Sequence, residues 1–245
     1  MEWIYTEICR VDENSGGFRN FNPVLGYCSC MEGAAERHAE RLGVAVENLR
    51  SEGMTWVLAK LCLVIDALPA PGADMLVRTW PVGAERAQFR RDFLITDLDG
   101  NSLARAVTDW VVFNLKTRRL EKMPAFISKF KPENPEHALE KEKLNFPGQG
   151  AAPELGRFIV RPDDIDGNEH VNNIRFMDWM IRSMPAKMAA DKTFSCFQVI
   201  FKSEALLGDT VIARGSWGTS GNEFLHGLFR ERDGLELVRG RSIWK

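Results

Sequence analysis

The sequence predicts an α+β fold in which one unit, a helix followed by four strands, occurs twice. Two halves show the same order of patterns, and short segments match between them. Gly72 and Gly208 lie 136 positions apart, and Trp80 and Trp217 lie 137 apart. Self-similarity at half the chain length is typical of a duplicated unit. We expect an N-terminal domain over residues 1–130, a Pro-, Gly-, Glu- and Lys-containing linker over 131–155 and a C-terminal domain over 156–245.

A helical pattern opens each half. The first, over residues 29–42, ends at Gly43, where a helix C-terminus favours a residue that takes positive φ. The second, over residues 172–184, ends at Pro185, and its apolar residues recur at the spacing of one helix face. That face, which we expect to be core, comprises Ile174, Phe176, Met177, Met180, Ile181 and Met184.

Strand-like segments follow each helix, as an antiparallel sheet against a helix requires. In the first half they cover residues 55–66, 74–82, 89–96 and 103–115, and in the second half 194–203, 210–217, 223–232 and 235–244. A hairpin turn is predicted at residues 97–101, Asp-Leu-Asp-Gly-Asn. We also expect a short helix over residues 137–144 of the linker.

Composition excludes several classes of function. The 245 residues carry a net charge of −2, so bulk charge does not favour binding to nucleic acid or to an anionic bilayer. No stretch approaches the roughly 20 apolar residues that cross a bilayer, and the N-terminus resembles neither a secretory signal nor a transit peptide, so we expect the cytoplasm. The odd set of five cysteines lacks zinc or C-x-x-C spacing, which indicates reduced thiols, with Cys62 and Cys196 in the core.

The most polar segment of the chain, residues 161–173, lies just before the second helix. Asp166, Asn168 and His170 alternate there, so in an extended segment their side chains share one face. Amide donors, an imidazole and a helix N-terminus can polarise a carbonyl or position water. The same residues also fit a simple turn followed by a helix N-cap, and spacing alone does not separate the two interpretations.

Three motifs give this chain a family resemblance. Residues 166–173 read DGNEHVNN, similar to the D-x-N-x-H-V-N-N signature of acyl-ACP thioesterases. FKSEA at 201–205 resembles that family's Tyr-Arg-Arg-Glu-Cys, and TRRLEKMP at 117–124 resembles its Thr-Arg-Arg-Leu-x-Lys-x-Pro. The resemblance implies two tandem hotdog domains, each an antiparallel sheet wrapped around a long helix. It also implies hydrolysis of fatty acyl-acyl carrier protein, with no metal or cofactor.

By this resemblance Asp166, Asn168, His170 and Glu204 are the catalytic residues, and the family's cysteine is replaced by Ala205. Alanine has no nucleophile, so a thiol cannot attack from that position. We expect Glu204 to activate water, with Asn168 and His170 holding water or the carbonyl and Asp166 orienting both. Direct attack by a carboxylate, through an anhydride, stays open.

The first half lacks this motif, and the resemblance gives it the acyl pocket. Candidate lining residues are Ala34, Ala35, Leu42, Trp56, Leu58 and Trp110. Because acyl carrier protein is acidic, its contact surface should be basic. Two clusters qualify: Arg86, Arg90 and Arg91, and Lys116, Arg118, Arg119, Lys122, Lys129 and Lys131. Their other interpretation is an ordinary solvated surface.

Three other functions fit parts of the sequence: an acyl-CoA hotdog thioesterase, a double-hotdog hydratase or dehydratase, and a noncatalytic acyl-binding protein. The complete set of four polar residues argues against pure binding, and Asn168 between the acid and the imidazole fits hydrolysis better than dehydration. The oligomeric state, monomer or homodimer, stays open because a fused pair already buries the face through which single hotdog units dimerise.

Overall fold

A computed structural model gives the structure of the chain, and it describes residues 3–10, 23–69, 72–85, 87–128, 136–140, 144–167, 169–185 and 193–245. The chain divides into two compact units, residues 1–141 and 142–245. Unit 1 contains β1 (Tyr5–Arg10), α1 (Pro23–Arg41), α2 (Val46–Arg50), β2 (Met54–Ile65), β3 (Asp74–Glu85), β4 (Gln88–Thr96), β5 (Ser102–Asn114), β6 (Arg119–Glu121) and α3 (Ala125–Ser128). Unit 2 contains β7 (Glu154–Ile159), a 3-10 turn (Pro162–Asp164), α4 (Asn173–Arg182), β8 (Phe194–Phe201), β9 (Thr210–Trp217), β10 (Glu223–Arg230) and β11 (Glu236–Trp244).

Both units use the same strand order. In unit 1 the order is β1-β3-β4-β5-β2, with β6 also paired to β5. In unit 2 it is β7-β9-β10-β11-β8, which is the same arrangement strand for strand. All of these pairs are antiparallel. The predicted helix followed by four strands is therefore confirmed in each unit, but the strand that precedes each helix, β1 and β7, was not predicted.

The helix of each unit buries one face. On α1 the buried residues Tyr27, Met31, Ala34 and His38 follow helical spacing. This helix starts at Pro23, six residues before the predicted start, because proline fits the first turn of a helix, where its missing N–H costs no hydrogen bond. The buried residues of α4 are Phe176, Met177, Trp179 and Met180, whereas the predicted core residues Ile174, Ile181 and Met184 are only partly buried.

The predicted stops and turns agree with the backbone. Gly43 has φ 69°, and the amide of Val44 donates to the carbonyl of Ala39 at 2.9 Å, which closes the end of α1. At the β4–β5 hairpin the carboxylate of Asp97 accepts from the amide of Asn101 at 2.8 Å, and Gly100 has φ 89°.

Part of the predicted linker binds to the strands of unit 1. The indole of Trp80 donates to the carbonyl of Glu136 at 2.7 Å, and the amide of Ala138 donates to the carboxylate of Asp92 at 2.8 Å. Residues 137–140 and 144 are not helical, so the helix predicted over 137–144 is wrong for its described residues. The backbone groups of this segment are satisfied by strand side chains instead of by a helical ladder.

Residues 146–150 bind in a similar way to the strands of unit 2. Arg239 donates to the carbonyl of Phe146 at 3.0 Å, and the hydroxyl of Ser216 donates to the buried side chain of Gln149 at 2.6 Å. A helix on one side of a sheet leaves the other side to be covered. In each unit a piece of the connecting segment contributes to that cover.

One pair of cysteines corrects the expectation of five reduced thiols. Cys9 on β1 and Cys30 on α1 form a disulfide, with their Cα atoms 6.0 Å apart. The pairing joins residues 21 positions apart, so close Cys spacing did not reveal it. Cys62 and Cys196 are not part of a disulfide and are half-buried, which is less than the core position predicted for them.

No helix among the described residues has the length and the apolar composition needed to cross a membrane.

A buried imidazole lies in the core of unit 2. His226 is 1% exposed, its Nε2 lies 2.9 Å from the hydroxyl of Ser242, and the ring of Phe224 packs against it at 5.1 Å. Burial lowers the pKa of His226 to about 3, although its hydrogen bond with the backbone of Met180 opposes this shift. The imidazole is therefore neutral in the folded chain over most of the acid range.

We expect His226 to make folding stability depend on pH below about 6.5, the usual pKa of histidine. Between pH 6.5 and 3 the unfolded chain binds a proton that the folded chain does not. The free energy of unfolding therefore falls by about 1.4 kcal/mol for each unit by which the pH is lowered. Urea unfolding at several pH values measures this slope. The variant His226→Gln should be less stable at neutral pH but show a slope shallower by that amount; equal slopes for the two proteins would contradict the assignment.

Candidate functional site

The polar segment before α4 folds into a small closed loop. Ile165 and Val171 form an isolated antiparallel bridge, and the amide of Asp166 donates to the carbonyl of His170 at 2.9 Å. The amide of Asn172 donates to the carbonyl of Asp164 at 2.9 Å. These bonds fix both ends of residues 166–170, which carry three of the four predicted catalytic residues. Of these, Asn168 lies outside the described residues.

The loop contains one residue in a strained conformation. Glu169 has φ 65°, in the left-handed region that non-glycine residues seldom adopt. Its side chain is exposed, whereas that of the next residue, His170, is only 15% exposed. Such strain tends to occur at functional loops, where the surrounding structure enforces it. Here the bonds at both ends of the loop enforce it.

The end of β8 brings Glu204 to this loop. The amides of Lys202 and Ser203 both donate to the carbonyl of Leu237, and the amide of Val171 donates to the carbonyl of Ala205 at 3.1 Å. As a result the Nε2 atom of His170 lies 2.8 Å from the Oε2 atom of Glu204. The structure thus brings together two residues that are 34 positions apart.

The hydrogen bond between His170 and Glu204 has a defined donor and acceptor. A carboxylate only accepts hydrogen bonds, so Nε2 of His170 is the nitrogen that carries the proton. A bond from an imidazole to a carboxylate is charge-assisted and holds both groups in orientation. Glu204 keeps 31% of its side chain exposed, so water has access to the carboxylate. The pair can therefore hold a water molecule and accept its proton.

The helix cap accounts for the neighbouring asparagine. Asn172 is the N-cap of α4, and its side chain accepts from the amide of Ile174 at 2.7 Å. The turn-and-cap interpretation is thus correct for Asn172, but it does not exclude a site, because the same loop places His170 against Glu204. Two contacts near the site had no sequence signal: Arg175 pairs with Asp164 at 3.4 Å, and Nη1 of Arg230 donates to the carbonyl of Glu204 at 3.5 Å.

The position after Glu204 is closed to solvent. Ala205 is 0% exposed, and its carbonyl is the acceptor for Val171.

Asp166 is half-buried, and its carbonyl accepts from the amide of Glu169 at 3.0 Å. Among the described residues no group of three or more His, Cys, Asp or Glu side chains could hold a metal ion.

The candidate acyl-pocket residues fall into two groups in unit 1. Leu42, Trp56 and Trp110 are partly buried and pack against one apolar cluster. That cluster consists of Val44, Leu49, Phe89, Val112 and Ile127. Ala34, Ala35 and Leu58 are buried at 0%, 8% and 7% exposure.

The two candidate basic clusters differ in exposure. Arg90 is bound to Asp92 at 2.7 and 3.0 Å, and Arg91 is only 5% exposed, so neither presents its charge at the surface; Arg86 lies outside the described residues. By contrast, the basic residues of the candidate cluster at the β5–β6 hairpin are all exposed: Lys116, Arg118, Arg119 and Lys122. Lys129 and Lys131 lie outside the described residues.

Asn114 builds this hairpin turn. Its side chain accepts from the amides of Lys116 and Thr117 at 2.9 and 2.8 Å, and its carbonyl accepts from the amide of Arg118 at 2.9 Å. These bonds therefore fix the backbone of the turn that carries the basic residues Lys116 and Arg118.

Family models match most of the chain. The model described as the acyl-ACP thioesterase N-terminal domain matches residues 17–129, and that of the C-terminal domain matches residues 150–245. A chloroplastic palmitoyl-acyl carrier protein thioesterase of Cuphea hookeriana is 30% identical over 203 residues, which are 78% of this chain and 49% of the relative. One of the same description from Arabidopsis thaliana is 29% identical over 79% of this chain and 50% of its own. The chain spans about half the length of the curated relatives it matches.

Two solved structures share the fold. The 12:0-ACP thioesterase of Umbellularia californica has a TM-score of 0.87 at 22% identity, covering 100% of this chain and 98% of its own. An acyl-ACP thioesterase of Bacteroides thetaiotaomicron has a TM-score of 0.85 at 24% identity, covering 99% and 98%. With the repeated strand order, these likenesses confirm the predicted α+β class with two tandem hotdog domains.

We expect Asn172→Ala to lower the free energy of unfolding by about 0.5–2 kcal/mol, because it removes the side-chain acceptor at the start of α4. Urea unfolding measures the change. The matched variant Asn173→Ala alters the next residue, the first of α4, and should change stability less. If the two variants lose equal stability, the cap does not contribute as its geometry indicates.

Proposed function

Because the chain belongs to the acyl-ACP thioesterase family, we propose that it hydrolyses fatty acyl-acyl carrier protein to a free fatty acid and holo-acyl carrier protein. This reaction terminates fatty acid synthesis. The observation that carries the proposal is the 2.8 Å contact between His170 and Glu204 within the family's motif positions. The sequence predicts the cytoplasm as the compartment, and we propose that the reaction takes place there.

In the proposed mechanism Glu204 is the general base. His170 holds Oε2 of the carboxylate, and Oε1 takes a proton from water as the water oxygen bonds to the thioester carbon. The tetrahedral intermediate then collapses, the carbon–sulfur bond breaks, and the proton passes from Glu204 to the leaving sulfur. Asn168 and His170 hold the water or the carbonyl, and Asp166 orients them.

Water attack is favoured over the other nucleophiles. Ala205 offers no thiol, and its methyl group is fully buried. Direct attack by Oε1 of Glu204 could keep the bond from His170 to Oε2, but it would form an anhydride that water must then hydrolyse, whereas attack by water needs no such second step. The side chain of Glu204 is also exposed enough for water to reach it.

Unit 1 is proposed to hold the acyl chain. Its candidate lining residues divide into three fully or nearly buried side chains and three that surround one apolar cluster. Both groups offer apolar surface to an acyl chain. Each methylene of that chain that is buried there contributes about 0.8 kcal/mol to the free energy of binding.

Replacing Glu204 with Gln or His170 with Ala should each lower turnover by about 10²- to 10⁴-fold while the chain stays folded. Release of free thiol from a panel of acyl-acyl carrier protein chain lengths measures this, with circular dichroism as the check on folding. Asp163→Asn is the matched control, since it neutralises an exposed carboxylate near the loop, and it should retain activity.

The same assay separates the other functions. Full activity in both site variants would end the catalytic assignment. Faster hydrolysis of acyl-CoA than of carrier-protein thioesters would favour the acyl-CoA thioesterase, and tight acyl binding without thiol release would favour an acyl-binding protein.

The exposed basic hairpin is the proposed contact surface for acyl carrier protein. Reversing two charges, Arg118→Glu with Arg119→Glu, should raise KM for carrier-protein substrate about tenfold at low salt and leave kcat/KM for acyl-CoA unchanged. The effect should shrink at about 0.5 M salt because exposed charges are then screened. Arg182→Glu, an exposed charge on α4, is the control; an equal rise in KM there would remove the hairpin from the proposal.

A further inference from the structure

We propose that Arg91, together with His38 and Thr79, forms a subsite inside unit 1 that binds a carboxylate group of a ligand. The three side chains are 5%, 1% and 0% exposed. They come from three elements, β4, α1 and β3. The site is separate from the His170 and Glu204 pair, which belongs to unit 2.

The hydrogen bonds of Arg91 leave one edge of its guanidinium unused. Its Nη1 atom donates to Oγ1 of Thr79 at 3.2 Å and lies 3.1 Å from Nδ1 of His38. Arginine only donates, so Nδ1 of His38 accepts and the imidazole is the neutral Nε2–H form. Among the described residues, no acceptor is bound by the Nε and Nη2 atoms of Arg91. These two atoms form the fork that binds a carboxylate through two parallel hydrogen bonds.

The buried cation also has no counter-charge in the described part of the chain. Its sequence neighbour Asp92 points to the opposite face of β4, where it binds Arg90 and the amide of Ala138. Burial lowers the pKa of Arg91 to about 10, so the guanidinium is still charged near neutral pH. A buried charge without a partner is unfavourable, and an entering carboxylate would neutralise it.

The fork is not sealed by packed protein. In the described ranges, the one fully enclosed side-chain polar atom without a hydrogen-bond partner is Nε of Arg214, in unit 2. The Nε and Nη2 atoms of Arg91 therefore keep some accessible surface, consistent with the 5% of that side chain that is exposed. A ligand carboxylate would have to approach the fork from this exposed part of Arg91.

The position of the subsite indicates which ligand would bring the carboxylate. Ala34 lies one helical turn before His38 on the buried face of α1, and Ala34 and Ala35 are candidates for the acyl pocket. If unit 1 holds the acyl chain, a chain with a carboxylate at its far end would fit, that is, the half-thioester of a dicarboxylic acid. This identification of the substrate class rests on the proposed function, whereas carboxylate binding does not.

Binding of octanoate and of 1-octanol tests the subsite without any thioester. The two probes share one chain and differ in the anionic group. In the wild-type protein octanoate should bind about 10- to 100-fold more tightly by calorimetry, the range expected of a charged hydrogen bond. Arg91→Met should abolish that preference, and Arg91→Lys, which keeps the charge but not the fork, should reduce it. Equal affinities of the two probes in the wild-type protein would overturn the subsite even if neither variant folds.

Hydrolysis tests the substrate class. A thioester with a carboxylate at the far end of its acyl chain is compared with the methyl ester of the same chain. The wild-type ratio of kcat/KM should favour the carboxylate about 10- to 100-fold and fall to near unity in Arg91→Met. Arg78→Met, on the opposite face of β3, is the control and should keep the wild-type ratio.

The outcomes of the two tests are distinguishable. Hydrolysis of both thioesters at equal rates would reject the dicarboxylic half-thioester as the preferred substrate class and leave the thioesterase proposal intact. Selective octanoate binding in a protein that hydrolyses no thioester would support the subsite and reject the proposed function.

Discussion

The site of unit 2 depends on one backbone hydrogen bond, from the amide of Val171 to the carbonyl of Ala205. Each of these residues directly follows a proposed catalytic residue, His170 in the loop and Glu204 after β8. The bond therefore holds the two residues beside each other, and the imidazole and the carboxylate lie 2.8 Å apart. Because it uses only backbone atoms, it puts no demand on the side chain at 205. The bond is therefore compatible with the buried alanine found at position 205.

Several features could be predicted from sequence because they depend on neighbouring residues. The end of α1 at Gly43, the hairpin at Asp97 and most strand limits follow from local conformational preferences. The features that were missed depend on distant partners. Among the strands of the described ranges, β1 pairs only with β3 and β7 only with β9, so their short patterns carry little signal until the partner strand is known. The Cys9–Cys30 disulfide likewise becomes visible only when β1 meets α1.

In the candidate site, too, some features were predictable from neighbouring residues and others depend on distant partners. Motif resemblance named His170 and Glu204, but spacing alone did not choose between a site and a capped turn. The structure shows that the choice is unnecessary: Asn172 caps α4, and the cap fixes the direction in which the loop enters the helix. The strained φ of Glu169 has no sequence signal, since glutamate is not a residue that predicts a left-handed conformation.

In this fold, charged residues that are adjacent in sequence can lie on opposite faces of one strand and have different surroundings. Arg90 and Arg91 are adjacent in sequence and count equally toward a basic cluster, yet strand alternation sends them to opposite faces of β4. One is neutralised by Asp92, and the other enters the interior beside a neutral histidine. In unit 2 the buried residue His226 avoids the same cost by losing its charge, because burial lowers its pKa. Arginine cannot do this near neutral pH, so Arg91, which binds no carboxylate among the described residues, keeps its charge in the interior, whereas His226 does not.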